Sequence, residues 1–317
     1  MATRKIDLAT TTSITTTYAG QFAGKYISAA LLSGSTLDNG LITIKPNVKY
    51  KEVLKTVATD ANIIKDATCD FTATGEVTLA EKILQPESFQ VNLQFCKSDF
   101  ASDWEAIQMG YSAFDNLPPK FSDFIIGHAA GLVAQKTEQN IWNGVNATAG
   151  EFDGFYTLAT AGGSGCVAVT GTPLTAANII DEIGKTVDGI PSSIYGKEDL
   201  YIYLSSKAAK LYVRALGGFG SSGLGAAGTN AQGTQWWNNG SLSYDGVKVV
   251  IAAGLPDDSM MAAQKSNMYF GTGLMSDQNE VKLIDMADID GSQNVRLVMR
   301  FTAGVQMGIN SDVVIYA

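Results

Sequence analysis

The chain has 317 residues, is 45% hydrophobic and 17% charged, and carries a formal charge of −9. That composition excludes an intrinsically disordered chain, and the length allows one large or two modest domains, each with its own core. The 22 basic residues are scattered rather than gathered into the stripe that phosphate neutralisation needs, so specific nucleic-acid binding is not expected.

The N-terminal residues 1–40 are rich in Thr, Ser, Gly and Ala, with a weak helical stretch from Tyr18 to Leu32. Such a segment buries little of its own surface and is expected to extend or to dock on something else. Its start lacks the apolar core of a signal peptide. Residues 41–100 are strand-rich. Phe89, Val91, Leu93 and Phe95 alternate with polar neighbours, and Val77, Leu79 and Ile83 alternate less strictly. These two runs, separated near Gln85-Pro86-Glu87, predict a hairpin carrying Glu76, Glu81 and Lys82, and a lone ribbon of that kind is barely stable in water.

The clearest helix covers 118–143. Pro118 and Pro119 suit its first turn, Gly144 suits the position past its end, and Phe121, Ile125, Leu132 and Trp142 recur at helical spacing. Some 25 residues make a rod of roughly 37 Å. Its most apolar part, Phe124 to Ala134, is interrupted by His128 and is shorter than the ~20 residues that cross a bilayer. From Thr175 to Ala263 the pattern is mixed. It predicts a helix Thr175 to Asp188, a strand Leu200 to Leu204, a helix capped by Ser205 or Ser206 and ending at Leu216, and a strand Val247 to Ala252. Between the last two lies the Gly-rich stretch 217–240, ending in Gln235-Trp236-Trp237. Near the C-terminus, Val281 to Ile284 and Val295 to Phe301 read as strands joined by a turn at Asp290-Gly291, followed by a corner at Gly304 and Gly308 and a last strand Val313 to Tyr316.

No constellation announces catalysis. The single histidine, His128, has no marked nucleophile or orienting acid and reads as packed or interfacial. Cys69, Cys96 and Cys166 form an odd, widely spaced set that fits a reducing compartment better than a disulfide scaffold, the lesser alternative being that Cys69 and Cys96 lie opposite one another on paired strands. They show no zinc spacing. The acidic run Asp285 to Asp290 resembles a calcium loop only at a glance, because aligning Gly291 puts Met286 and Leu297 where carboxylates are needed. The glycines of 217–228 carry no following Lys-Ser or Lys-Thr, so no phosphate cradle is present. No catalytic, cofactor or metal residue is therefore assigned.

Two segments carry a resemblance. Residues 69–104, from Cys69-Asp-Phe-Thr-Ala-Thr-Gly-Glu76 through Phe89-Gln-Val-Asn-Leu-Gln-Phe-Cys96 to Trp104, are similar to the extended-loop region of capsid proteins of phages infecting Bacteroidetes, including crAss-like phages. Residues 267–316, with the alternating run Val295 to Phe301, resemble the closing strands of tailed-bacteriophage major capsid proteins. The resemblance implies an α+β, Hong Kong 97-like fold. It would place an N-terminal arm at 1–40, the extended loop and flanking strands at 41–100, and a peripheral domain with the spine helix at 101–174 and 264–307. An inserted axial domain would take 175–263 and 308–317.

The function implied is self-assembly into pentamers and hexamers of an icosahedral shell around double-stranded DNA held without sequence-specific contacts. Scaffolding, portal and possible decoration proteins would be partners, assembly would take place in the bacterial host cytoplasm, and no membrane, cofactor or catalysis is implied. Glu76, Glu81, Lys82, Trp236 and Trp237 would be interface residues, the tryptophans making a contact within a capsomer rather than a sugar platform. Lys65 or Lys82 would be the lysine of any Lys–Asn cross-link between subunits. Arm-like sequence close to Met1 leads to the expectation of no N-terminal cleavage and a separate scaffolding protein. The alternatives are an encapsulin-like protein-storage shell and a β-rich carbohydrate-binding protein, for which the Asp285–Asp290 cluster is the one supporting feature.

Overall fold

The computed structural model describes residues 35–59, 77–96, 119–216, 242–273 and 281–317, with the single positions 64, 66 and 69. They fall into two compact units. The larger comprises Gly34–Glu87, Lys136–Gly273 and Ala303–Ala317, and the smaller includes Ser88–Gln135 and Leu274–Thr302.

The larger unit is organised by a six-stranded sheet. Its order is β5 (Val167–Val169), β13 (Val314–Tyr316), β9 (Met260–Gln264), β6 (Leu200–Leu204), β8 (Val247–Ile251) and β7 (Leu242–Tyr244). Strand β6 runs antiparallel to β9 and parallel to β8, as a central strand buried on both faces should. Two helices cover one face. In α4 (Ile179–Asp188), Ile179, Ile183 and Val187 lie one above another and are buried, while Ile180 faces out. In α5 (Ser206–Leu216), Ala208, Ala209 and Tyr212 share a core with Leu200, Ile202 and Leu204 of the sheet, and the same core takes in Met260, Val314 and Tyr316.

Caps and turns follow the sequence. Ser205 Oγ accepts from Ala208 N at 3.3 Å, which identifies Ser205 as the cap of α5. Before α4, Asn178 Oδ1 accepts from the Thr175 amide at 2.7 Å, so Thr175 opens a turn and the helix itself starts at Ile179. Strands β7 and β8 are joined by Asp245 (φ 44°) and Gly246 (φ 78°), the two left-handed positions of a tight hairpin turn.

Within the same unit, β1 (Thr43–Lys45) runs parallel to β10 (Met268–Gly271), and β10 runs antiparallel to the second half of β12 (Asn294–Met307), with Gly271 opposite Gly304. Strand β2 (Glu52–Thr59) pairs antiparallel with β3 (Val77–Leu84) as a two-stranded ribbon. The hairpin expected between 77–84 and 89–95 is therefore a misreading. Pro86 and the two-residue gap direct the chain onward into β4 (Glu87–Cys96), which pairs β12, and β3 takes its partner from upstream. Nor do Cys69 and Cys96 meet on paired strands: Cys69 lies outside the strands as an exposed free thiol.

In the smaller unit, β11 (Val281–Asp285) pairs antiparallel with the first half of β12, from Val281 opposite Met299 to Asp285 opposite Val295. The alternation read from sequence holds there, with Val295, Leu297 and Met299 buried and Arg296 and Arg300 exposed. Phe301 is only half-buried and meets Phe89 of β4 at a ring separation of 5.6 Å. The turn after β11 holds one short helix, α6 (Ala287–Asp290). Asp285 Oδ1 accepts from its Ala287 amide at 3.0 Å, and Gly291 closes it in the left-handed region at φ 69°.

Helix α2 (Pro119–Asn143) matches the predicted span to one residue. Its stripe does not: Leu132 is exposed, and the side chains of Phe121 and Ile125 lie outside the described residues. Among its described side chains, the buried ones gather in the last turns, with Ala129 further up. Trp142 lies fully inside, with ring centroids 4.9 Å from Tyr203 and 5.7 Å from Phe155 of α3 (Phe155–Thr160). Backbone crowds this hub so closely that a Cβ on Gly254 would sit 2.3 Å from the Glu138 carbonyl oxygen. Gly304 is not a corner. It lies inside β12, where a Cβ would stand 2.9 Å from the Gln85 carbonyl oxygen and from Pro86 Cα. The weak helix Tyr18 to Leu32 and the stretch 217–240 lie outside the described residues.

Candidate interaction surfaces

The β2–β3 ribbon has two unlike faces. On one, Leu54 and Leu84 are buried with Val48, and Tyr269 packs against them. This root is braced further by Gln306 Nε2, which donates to the Ile83 carbonyl at 3.0 Å, and by Gly271, which leaves room for the Leu84 side chain. The register puts Val53 opposite Ile83, Lys55 opposite Glu81 and Val57 opposite Leu79 on the other face, which Val77 shares. Here Val53 is 45% exposed, Val57 64%, Val77 62%, Leu79 70% and Ile83 50%. A ladder of five aliphatic side chains thus faces away from the root, with a Lys–Glu couple as its only charged rung among the described residues. Exposed apolar side chains grouped in this way, on either side of one charged rung, make this face a candidate site of contact with another molecule.

Glu81 and Lys82, adjacent in β3, point to opposite faces: Glu81 belongs to the ladder and Lys82 lies opposite Leu54 on the root face. The charge of Lys82 reaches Cys166, whose thiol is pushed up by burial more than Ser164 and Lys82 draw it down. Glu76, Lys65, Trp236 and Trp237 lie outside the described residues. The ladder itself was missed by sequence reading, although the signal was present in Glu52-Val-Leu-Lys-Thr-Val-Ala-Thr59, where Val53 and Val57 alternate with Leu54 and Thr56.

Chemistry-bearing clusters are weak by comparison. Among the described residues no group of three or more His, Cys, Asp or Glu could hold a metal ion. Asp285, the first residue of the acidic run, is spent on capping α6. An open cleft of about 650 Å³ beside the β7–β8 turn is lined by Tyr195, Lys197, Glu198, Asp245 and Lys248, and the Tyr195 hydroxyl donates to the Asp245 carbonyl at 2.8 Å. In the smaller unit a shallow groove of about 440 Å³ runs past Phe89, Arg300 and Phe301. No helix among the described residues is long and apolar enough to cross a membrane.

Buried polar groups in the larger unit serve the fold. Glu182 receives Lys185 Nζ at 2.8 Å and the Tyr316 hydroxyl at 2.9 Å, and the Lys185 bond leads in holding its carboxyl below the usual range. Asp258 accepts from Lys207 Nζ at 2.6 Å and from the Leu174 amide at 3.0 Å, again with a lowered pKa led by the lysine.

No protein-family model matches the chain, and no curated protein matches it. Solved structures do. A chain of Mycobacterium phage Adephagia aligns over 91% of both chains at 13% identity with a TM-score of 0.60. The capsid of an empty GTA particle, computed with C5 symmetry, aligns over 91% of both at 13% identity and a TM-score of 0.59. The capsid of cyanophage P-SCSP1u covers 95% of this chain and 92% of its own at 12% identity and a TM-score of 0.55. The fold is that of phage capsid proteins. At these identities the likeness is one of fold, and it spans nearly the whole of each chain rather than a shared module.

Proposed function

We propose that this chain is the major capsid protein of a tailed bacteriophage, and that it builds the icosahedral head shell around a double-stranded DNA genome. The observation that carries the reading is the ribbon: a folded chain with a capsid-type fold presents an exposed aliphatic ladder on a two-stranded ribbon, and no other described residue covers it. A neighbouring copy supplies the cover. The mechanism is distributed burial, in which many modest contacts per subunit become collectively stable once the lattice closes.

In this reading residues 1–40 form the N-terminal arm and 41–100 the extended loop with its flanking strands. The spine helix lies in a peripheral domain of 101–174 and 264–307, and 175–263 with 308–317 form the axial domain. Glu76, Glu81, Lys82, Trp236 and Trp237 take part in contacts between subunits. Scaffolding, portal and decoration proteins are the further partners, assembly takes place in the host cytoplasm, and the chain performs no catalysis. The net charge of −9 suits a wall that encloses DNA without gripping it. The likeness of residues 69–104 to capsid proteins of Bacteroidetes-infecting and crAss-like phages narrows the reading to that group.

Negative-stain microscopy of the purified protein, with nucleic acid assayed in any particles, tests this. Closed angular shells, filled with DNA when taken from infected cells, are the expected result. Shells loaded with protein instead would establish the storage alternative, and a monodisperse monomer under every assembly condition would overturn the reading.

A further inference from the structure

Beside the short helix that opens the described part of the chain lies a carboxyl group with no cation beside it among the described residues. Glu138 on α2 is fully buried, and among the described residues its carboxyl makes no ion pair. Its oxygens instead receive the Thr36 hydroxyl, the Thr36 amide at 3.2 Å and the Trp142 indole N–H at 3.3 Å. The indole also donates to Thr36 Oγ1 at 2.9 Å. Thr36 sits in the four-residue helix α1 (Ser35–Asp38) and is itself fully buried, so these bonds clasp α1 onto α2.

The groups around the clasp do not compensate a negative charge. Asp38, on α1, is a like charge. Tyr203, packed at a tilt against Trp142, is held neutral because burial drives its phenol far above the ordinary range. Lys265 Nζ lies beside Gly40, two residues beyond the end of α1. Burial pushes the Glu138 carboxyl above the usual glutamate range, and Asp38 adds to this, against the hydrogen bonds of Thr36 and Trp142. The clasp nevertheless has a partner for either protonation state. A carboxylate only accepts, whereas the acid brings one donor, and the Thr36 hydroxyl serves both by donating to the first and accepting from the second. What changes with protonation is the cost of burying an uncompensated charge.

We propose that docking of α1 onto α2 is coupled to uptake of a proton at Glu138, so that α1 is held more tightly as the pH falls. The direction follows from linkage. A carboxyl whose folded-state pKa is raised contributes stability that is full below the ordinary glutamate range and is lost as the pH rises through the folded value. The inference stands without the shell reading. If that reading holds as well, acid tightens the points where N-terminal arms leave their subunits.

Hydrogen exchange of the intact protein between about pH 4.5 and 8, corrected for intrinsic exchange rates, tests the coupling. Protection of residues 36–41 is expected to rise on acidification, by at most about tenfold per pH unit for one proton. In Glu138→Gln the rise should vanish, because the amide nitrogen takes the acid's place as donor to Thr36 Oγ1 at every pH. Thr36→Val removes a hydroxyl whose hydrogen bond favours the charged carboxylate, so the rise should begin at higher pH than in the wild type, and Thr36→Ser should restore the wild-type profile. Protection that is indifferent to pH in the wild type, or that falls on acidification, overturns the proposal. So does a wild-type profile retained by Glu138→Gln, and the wild-type and Thr36 profiles decide the matter if that variant does not fold.

Discussion

The double substitution Val57→Lys with Leu79→Glu separates folding of the subunit from covering of its ribbon. These two residues face each other across β2 and β3 and are the most exposed rungs of the ladder. Full burial of such a side chain contributes about 1.5–3 kcal/mol. Each of the five ladder residues has roughly half to two-thirds of its surface still open, so a neighbour that covers them gains about 1–2 kcal/mol per residue and about 5–10 kcal/mol for the ladder. The substitution removes about 2–4 kcal/mol of this and places two charges in an apolar contact. Even about 3 kcal/mol weakens a single contact more than a hundredfold, and a lattice repeats it in every subunit. Within the free ribbon the change is mild, because the new pair repeats the charge order of its neighbour Lys55–Glu81, and opposed charges across strands contribute about 0.2–1 kcal/mol. Circular dichroism should show wild-type secondary structure and melting, while sedimentation velocity and microscopy should show that closed shells are lost. Shell formation at the wild-type protein concentration would refute the argument that the ladder is covered by a second copy.

Three further outcomes are expected. Gly254→Ala forces a Cβ against the Glu138 carbonyl and Trp142 Cδ1, which should cost about 1–3 kcal/mol and lower the melting temperature by several degrees; an unchanged melt would mean that the turn moves freely off α2. Tyr203→Phe deletes the hydroxyl that donates to the Leu41 carbonyl at 2.7 Å, leaving a buried acceptor unpaired at a cost of about 1–3 kcal/mol, visible as a lower denaturant midpoint. Asp258 has a lowered pKa, so its pairing with Lys207 contributes above the ordinary aspartate range and is lost as the pH falls through the lowered value. Asp258→Asn should therefore be less stable than the wild type at neutral pH and converge with it in acid; a difference that persists at low pH would argue against the charge as its source.

Elements specified by local pattern were legible in sequence, and pairings between distant segments were not. Strand β6 was readable to the residue because a short β-rich apolar run is bounded by Asp199 and Ser205, and α5 because Ser205 is a capping residue before a helical stretch. Helix α2 was readable from its ends, Pro119 and Gly144, but not from its faces. Among its described side chains burial is concentrated in Glu138 to Trp142, and a charge in the run Gln135-Lys-Thr-Glu-Gln139 looks solvated until Thr36 and Trp142 close over it. The ribbon was misassigned because proximity in sequence favoured a hairpin across Gln85-Pro86, whereas the true partner of β3 lies beyond residues 60–76. Gly304 carried no local sign of the Gln85-Pro86 backbone against which it packs. Of the candidate interface residues, only Glu81 and Lys82 fall among the described ones, and their opposite facing follows from the two-residue period of a strand.

The two kinds of pairing also divide the energetics. The six-stranded sheet cannot close from local contacts, because β13 inserts between β5 and β9 and joins residues 167–169, 260–262 and 314–316 in one ladder. Its core is then complete within one chain: Ile202, Met260, Val314 and Tyr316 are buried under α4 and α5 without help from outside. The β2–β3 pairing is comparatively local, joining 52–59 to 77–84, and only its root is buried. Folding of the larger unit therefore supplies a fixed anchor at Leu54 and Leu84 and leaves the exposed face of the ribbon to be covered afterwards. On the proposed capsid reading, a chain built this way folds first and covers its open apolar face when it assembles.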